Sequence, residues 1–343
     1  MVISDYGEES QLEQAMLKDL LIELLPYGGS YRGGLSNHLP MVLAALDELG
    51  ASEAELRLFA ARRGHLEAVP DDGRDIADTA GWLGERASEG AWRRRLAWER
   101  ERGEWQALWL SRVRQVLAAP ASASFHGAIR LAYALRSEAE AEVDAALAYA
   151  LSHWQPLALP GRASAPRSLA EVLRDWRDHP LSSPDDGKLI MDDIERALAL
   201  PELPDRLPPG LLAGAREQRR IARQLFLARR SFDMLHLMTG WEAVLSLARG
   251  HGLGDAPDSA ALQMQAALLG MYIYNGCPDL SGRLAGSQAD IGEIAAMARA
   301  QPDDHSVKLA LSCLRLAELD DDEAWLALAA DVAAHGWRGR AAV

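Results

Sequence analysis

The sequence predicts an all-α fold, a multi-helix globular array. Apolar residues recur at helical spacing from end to end of the 343-residue chain. Convincing period-2 strand patterns are absent, and serine caps, glycines and prolines bound the periodic segments. Hydrophobic residues make up 49% of the chain, enough for a substantial core.

In chain order, Gln11 to Leu25 is amphipathic and stops at Pro26. A glycine-rich loop follows, Gly28-Gly29-Ser30-Tyr31-Arg32-Gly33-Gly34-Leu35-Ser36-Asn37-His38-Leu39-Pro40, and leads into a helix over Met41–Leu49. Ser36 fits an N-cap, and Pro40 suits a first helical turn, where its missing N–H costs nothing. Four glycines in seven positions let main chain approach a neighbour closely. Ser52-Glu53-Ala54-Glu55 opens the next helix with a capping-box signature. Pro70-Asp71-Asp72-Gly73 is a turn. Glu85 to Leu117 is rich in Trp, Arg and Glu and ends before Pro120. Its Arg93-Arg94-Arg95, interleaved with Glu99, Glu101 and Glu104, reads as a solvated helix face rather than an anion site.

Ser122 or Ser124 caps a helix beginning at His126, and another runs from Glu138 to His153. Trp154 to Pro166 interrupts the pattern with three prolines and a glycine, and Pro201, Pro204, Pro208 and Pro209 interrupt it again. Short helices lie between, at Leu169–Trp176 and Asp186–Leu198. A long helical pattern from Leu211 to about Arg249 holds His236 in its interior. Ser259–Tyr274, Asp290–Arg299, Asp304–Leu316 and Asp321–Ala334 complete the chain. No fixed-period repeat is present, and unequal helix lengths with long proline loops weigh against an α-solenoid. The chain reads as one domain over 1–343, with two helical lobes, 1–155 and 210–343, joined by the proline-rich middle.

The formal charge of -14 argues against nucleic acid or anionic membrane as a partner. Two cysteines, Cys277 and Cys313, with no CxxC, fit a reducing cytoplasm and supply no thiolate metal site. The N-terminal MVISDYGEES lacks the basic-then-apolar order of a signal peptide, and no run of 18 apolar residues exists to span a membrane. A soluble, cytoplasmic protein is expected.

Nine histidines divide into three groups. His65, His179, His251 and His335 lie beside glycine, proline or charged loop residues and read as surface. His153 ends a helix, where a cationic ring suits the dipole. The remaining four sit in SNHLP (His38), SFHGAIR (His126), DMLHLMTG (His236) and PDDHSVK (His305). Three begin helices, and the fourth has Leu235, Leu237 and Met238 as neighbours. Singly, each also fits a satisfied core histidine. Together, on four separate helices, they suggest a site assembled by the fold. HExxH spacing is absent, so no local motif names a metal. No GxGxxG follows a strand, so a bound flavin or Rossmann-type nicotinamide site has no support.

Four motifs, SYRGGLSNHLPM, SFHGAIRLAYAL, LHLMTGWEAV and DDHSVKLALSCL, in this order, resemble the questin oxidase-like family over roughly residues 24 to 317. The resemblance implies an oxygenase that oxidatively opens or oxygenates an aromatic polyketide-like substrate with O2, in secondary metabolism. It also implies a mononuclear non-heme iron, Fe(II), held by His38, His126, His236 and His305. A carboxylated lysine at Lys308, a carbamate derived from CO2, completes the implied ligand set. The chain departs from the fungal members in being compact and acidic, with a loosely defined middle from Trp154 to Leu211.

Residue chemistry is compatible with that ligand set. His305 and Lys308, spaced i, i+3 on a helix, share a face. A buried lysine loses its proton more readily, and its neutral amine can take up CO2. The resulting anion would balance neutral imidazoles gathered at positive helix ends. Lys308 alternatively pairs with Asp304 as an exposed lysine, and Asp303 or Asp304 alternatively supplies the anionic ligand or caps the helix. Asn37 and Asp233 are candidates to support His38 and His236. Tyr31, Arg130 and Tyr133 are candidates to face the pocket and bind an aromatic hydroxy-ketone or carboxylate; Arg130 equally suits a structural role. Two other functions remain open on sequence alone: an NADPH-dependent Baeyer–Villiger-type monooxygenase using the nucleotide as external reductant, and a non-catalytic α-helical interaction module whose histidines are merely core.

Overall fold

The computed structural model describes residues 16–183, 189–284, 286 and 289–339. The all-α expectation holds. Helix α1 covers described residues 16–24; Gln11 to Gln14 and Ala15, where the sequence begins it, lie outside the described residues. The glycine-rich loop is a miniature hairpin, β1 (Ser30–Tyr31) against β2 (Leu35–Ser36), turned by Arg32, Gly33 and Gly34 at φ 47°, 78° and 145°. Helices α2 (Leu39–Glu48) and α3 (Glu53–Ala60) follow, the latter closed by the Ser52/Glu55 capping box. Gly103, at φ 71°, splits the Trp- and Arg-rich stretch into α4 (Glu89–Glu101) and α5 (Trp105–Leu117).

Next come α6 (His126–Ser137) and α7 (Glu140–Ser152). The middle segment forms α8 (Leu169–Asp178), α9 (Ile190–Leu198) and a single turn, α10 (Leu203–Arg206). The first residues assigned to α9 from sequence, from Asp186 to Lys188, lie outside the described residues. The long pattern 211–249 is two helices, α11 (Ala215–Arg229) and α12 (Phe232–Gly250), because Arg230 turns left-handed at φ 45° and Ser231 caps anew. His236 therefore stands in the second turn of α12 rather than deep inside a long helix. Helices α13 (Asp258–Tyr274), α14 (Ile291–Arg299), α15 (Asp304–Asp320) and α16 (Glu323–His335) finish the fold.

The packing sets up the site. Helix α2 packs on α6, α6 on α12, α12 on α15, and α15 back on α2, so the four close a ring. Two of them come from residues 1–155 and two from 210–343. A contiguous apolar core runs from Leu17 to Ala333, with Trp92, Trp176, Trp241 and Trp325 fully buried in or beside it. Among the described residues, no helix is long and apolar enough to cross a membrane.

The arginine triplet of α4 differs from its expectation. Only Arg94 is exposed, bound to Asp71 and Asp75. Arg93 is half-buried, donating to the Leu25 and Tyr27 carbonyls and to Glu89, and Arg95 pairs with buried Glu99. Arg93 ties α4 to the chain just past α1, and Arg94 and Arg95 tie it to the loop around residues 71–76, a job that a helix-face pattern does not reveal.

Candidate metal centre

Each helix of the ring brings a histidine to the same end. His38 is the N-cap of α2 and His126 the first residue of α6; His305 is the second residue of α15 and His236 the fifth of α12. Ring centroids stand 4.7 Å apart for His38 and His126, 4.6 Å for His38 and His305, 4.8 Å for His126 and His236, and 5.3 Å for His236 and His305. The four histidines singled out by sequence thus form one cluster at the positive ends of four helices. A ring nitrogen from each of His38, His236 and His305 lies within 4.8 Å of the other two.

Hydrogen bonds fix the tautomers. His126 Nδ1 faces the Ala123 carbonyl at 2.7 Å, and His236 Nδ1 faces the Phe232 carbonyl at 2.7 Å. Carbonyls only accept, so both Nδ1 atoms carry the proton and both Nε2 atoms are bare. His38 Nδ1 lies 2.5 Å from Asp304 Oδ2, and His305 Nδ1 lies 3.1 Å from Asp304 Oδ1. A carboxylate likewise takes the Nδ1 proton and leaves Nε2 bare. The Nε2 atoms of His236 and His305 are buried without a hydrogen-bond partner.

The remaining two Nε2 atoms face each other. His38 Nε2 and His126 Nε2 are 2.8 Å apart, two lone pairs in contact unless a cation lies against both. A proton on either ring is opposed by the surroundings. Burial, then the Lys308 charge, pushes His38 down to about 3. Burial followed by the neighbouring imidazoles drives His126 well below the ordinary range, as burial, His305 and Lys308 do for His236. Two imidazoles bound cis to one ion at about 2.1 Å would stand roughly 3 Å apart, close to the observed spacing. Bare nitrogens on tethered, neutral rings are the form that binds a metal.

Asp304 is the residue whose role the sequence did not disclose. It neither caps α15, which Asp303 does by accepting from the His305 and Ser306 amides, nor pairs with Lys308 by hydrogen bond; it clamps two histidines from behind. Burial acts to raise its carboxyl, but the His305 and His38 hydrogen bonds override this and hold it far below the usual range. The signal was present in Asp303-Asp304-His305, yet only the fold brings His38 across to share it.

Lys308 is buried, one turn beyond His305. Burial lowers its ammonium to about 8, against the upward pull of Asp304 and Asp303. The exposed-lysine alternative does not hold. Asn37 supports His38 through the backbone: its Oδ1 accepts from the Leu39 amide, and its Nδ2 donates to the Gly28 carbonyl. Asn37, not Ser36, therefore organises the start of α2. Ser36 instead hydrogen-bonds the Tyr149 hydroxyl at 2.8 Å. Neither Ser122 nor Ser124 caps α6: Ala123, Ser124 and Phe125 form a left-handed turn at φ 50°, 56° and 70° that delivers the Ala123 carbonyl to His126.

A cavity of about 500 Å³ opens beside the cluster, lined by His38, His126, His305 and Asp304 on one side. Tyr31, Gly34, Leu35 and Ser36 of the hairpin, Leu189, Ile190 and Asp193 of the α9 segment, and Phe232 and Asp233 enclose the rest, with Ser124. Phe232 also packs edge-on against His236 and His305. Burial, then Asp304, raises the Tyr31 phenol, so it stays protonated at neutral pH. The glycine loop makes its closest approach elsewhere: the Gly29 amide donates to buried Glu89, and a Cβ on Gly29 would strike the Tyr149 ring.

Two expected pocket residues lie elsewhere. Arg130 is buried in a two-pronged pair with Glu142, at 2.7 and 2.9 Å, and does not line the cavity. Its role is structural. Tyr133 is buried against the Arg136 guanidinium, 4.4 Å from its ring, and also leaves the cavity walls to others. His153 is buried rather than a charged cap, and burial lowers it to about 4. His251 is half-buried and accepts from the Trp109 indole at 2.8 Å, not a plain surface residue.

No model of a known protein family matches the chain, and no curated protein shows significant similarity to it.

Proposed function

We propose that the protein is a non-heme iron-dependent oxygenase that oxygenates or oxidatively cleaves an aromatic, polyketide-like substrate with O2. One observation carries the metal part of this reading: four imidazoles, each tethered at Nδ1, turn their bare Nε2 atoms toward one region beside a cavity. The choice of iron and of an aromatic substrate rests on the four ordered sequence motifs that resemble the questin oxidase-like family. His38, His126, His236 and His305 would hold the ion, with Lys308 as the anionic ligand.

Lys308 suits that part because an ammonium buried beside neutral imidazoles is costly unless paired or modified. Addition of CO2 to its neutral amine gives a carbamate and releases one proton, exchanging a misplaced cation for an anion. When bound, iron(II) supplies the one-electron chemistry that lets O2 react with a closed-shell aromatic ring.

The chain's own residues do the rest. Asp304 holds two imidazoles in register, while Phe232 packs edge-on against His236 and His305 and the hairpin lines the adjoining cavity. The cavity, at about 500 Å³, lies in the range of small-molecule sites. Leu35, Leu189, Ile190 and Phe232 offer apolar surface to a ring system, and protonated Tyr31 can donate to a carbonyl or phenolate oxygen.

Oxygen uptake by iron(II)-loaded protein on hydroxyanthraquinones and simple polyphenols tests the reading, with and without NADPH. Substrate-dependent uptake supports it, and dependence on NADPH would mark the monooxygenase variant. Stoichiometrically iron-loaded protein that consumes no O2 with any of these would overturn it.

A further inference from the structure

A second built feature lies on α11, independent of the metal centre. Arg220 and Gln224 line two adjoining hollows, of about 270 and about 380 Å³. Arg174 and Arg177 of α8 complete the cationic wall of the first, and Arg223 and Arg283 that of the second. The loop 278–284 runs past both. Together the linings hold five guanidinium groups and one carboxylate, Asp279, in a chain whose formal charge is -14.

Internal pairing accounts for only two of the five. Arg177 reaches Asp178 at 3.3 Å and Asp279 at 3.9 Å, and Arg223 reaches Asp322 at 2.7 Å. Among the described residues, Arg174, Arg220 and Arg283 make no salt bridge; Arg220 meets only the Gln224 side-chain oxygen, at 3.3 Å. Elsewhere the arginines of this protein are largely paired with carboxylates, as Arg130, Arg219 and Arg315 are. These three exposed guanidinium groups line adjoining hollows with donors that no carboxylate engages, and an anion placed there would meet them.

Guanidinium forks match phosphate oxygens in geometry and charge. Leu173, Ile221 and Leu227 give the hollows apolar walls between the arginines. Because Arg220 serves both hollows, the matching ligand carries two anionic groups a few ångströms apart. We propose that this groove binds a diphosphate-bearing ligand of nucleotide size, with Arg220 between the two phosphoryl groups and the organic part against Leu173 and Ile221.

Calorimetric titration of the full chain at low salt tests this, using inorganic pyrophosphate and ADP as probes. The proposal expects saturable one-to-one binding of pyrophosphate that weakens as salt is raised. Arg220→Gln should weaken it about tenfold or more, and Arg174→Gln or Arg283→Gln by a smaller factor of about three, each loss reflecting charge-assisted hydrogen bonds. All three side chains are exposed, so circular dichroism should be unchanged. Tighter binding of ADP than of pyrophosphate supports a nucleotide as source, and equal binding supports the diphosphate alone. Absence of saturable heat, an Arg220→Gln protein that binds as the parent does, or tighter binding of a polyglutamate peptide would overturn the assignment.

Discussion

Replacing Asp304 by asparagine should weaken metal binding about thirtyfold while leaving every metal ligand in place. In the folded protein its two oxygens face different histidines, His38 Nδ1 at 2.5 Å and His305 Nδ1 at 3.1 Å. Asparagine keeps one acceptor oxygen and turns the other position into a donor. One histidine must then either lose its partner or move its proton to Nε2, where it blocks the lone pair. A hydrogen bond to a charged group contributes about 1.5–3 kcal/mol. The Asp304 side chain is 30% exposed, so the lower part of that range applies, about 2 kcal/mol, or roughly thirtyfold in affinity. That magnitude falls within the ~10–100-fold usually lost with an outer-sphere partner. The assay is competition with a chelator for Fe(II), or for Co(II) as a spectroscopic substitute, on protein whose circular dichroism matches the parent. An affinity within twofold of the parent would refute the clamp, and with it the tautomer argument for two of the four rings.

Lys308→Ala should lose most of the bound iron and all measurable turnover while the fold survives; stripping CO2 at low pH should lower activity of the parent, and bicarbonate should partly restore it. Full iron content and normal activity in Lys308→Ala would move the anionic ligand elsewhere. Tyr31→Ala should raise KM severalfold with iron content intact, since the phenol lines the cavity but lies outside the histidine cluster; loss of iron would make it a structural support. The metal-free protein should be destabilised by acid. His38 falls from 6.5 to about 3 on folding and His153 to about 4, both mainly through burial, so below pH 6.5 the unfolded chain binds more protons. Stability should therefore drop as pH falls from 6.5 towards 4, by about 2 kcal/mol per histidine at pH 5, readable in urea melts; equal midpoints at pH 7 and pH 5 would contradict the neutral, buried assignment.

Much of the fold was legible because helix signals here are local. The Ser52 box and Pro40 in a first turn act within a few residues of themselves, and periodicity supplied the rest, although the break at Gly103 inside Glu85–Leu117 was not read. Three of the four histidines, His38, His126 and His305, were legible for the same reason, whereas His236, read as interior to one long helix, was marked only by its apolar neighbours Leu235, Leu237 and Met238. What failed depends on contacts across the chain. Arg130 on α6 is indistinguishable in sequence from a pocket residue until Glu142 on α7 is seen to take both its prongs. Arg93 reads as solvated until α1 ends against it. The left-handed turn at Ala123–Phe125 defeated the serine-cap expectation because non-glycine residues seldom hold three such conformations in a row. Asp304 acts across 266 positions of sequence, and no local pattern reports that.

The most direct test of the central claim is X-ray absorption at the iron edge after anaerobic loading with one equivalent of Fe(II). The account predicts one tightly held iron per chain, with about four imidazole nitrogens at roughly 2.0–2.3 Å and one further oxygen ligand. Failure to retain iron in stoichiometric amount, or a site with two or fewer imidazoles, would contradict it.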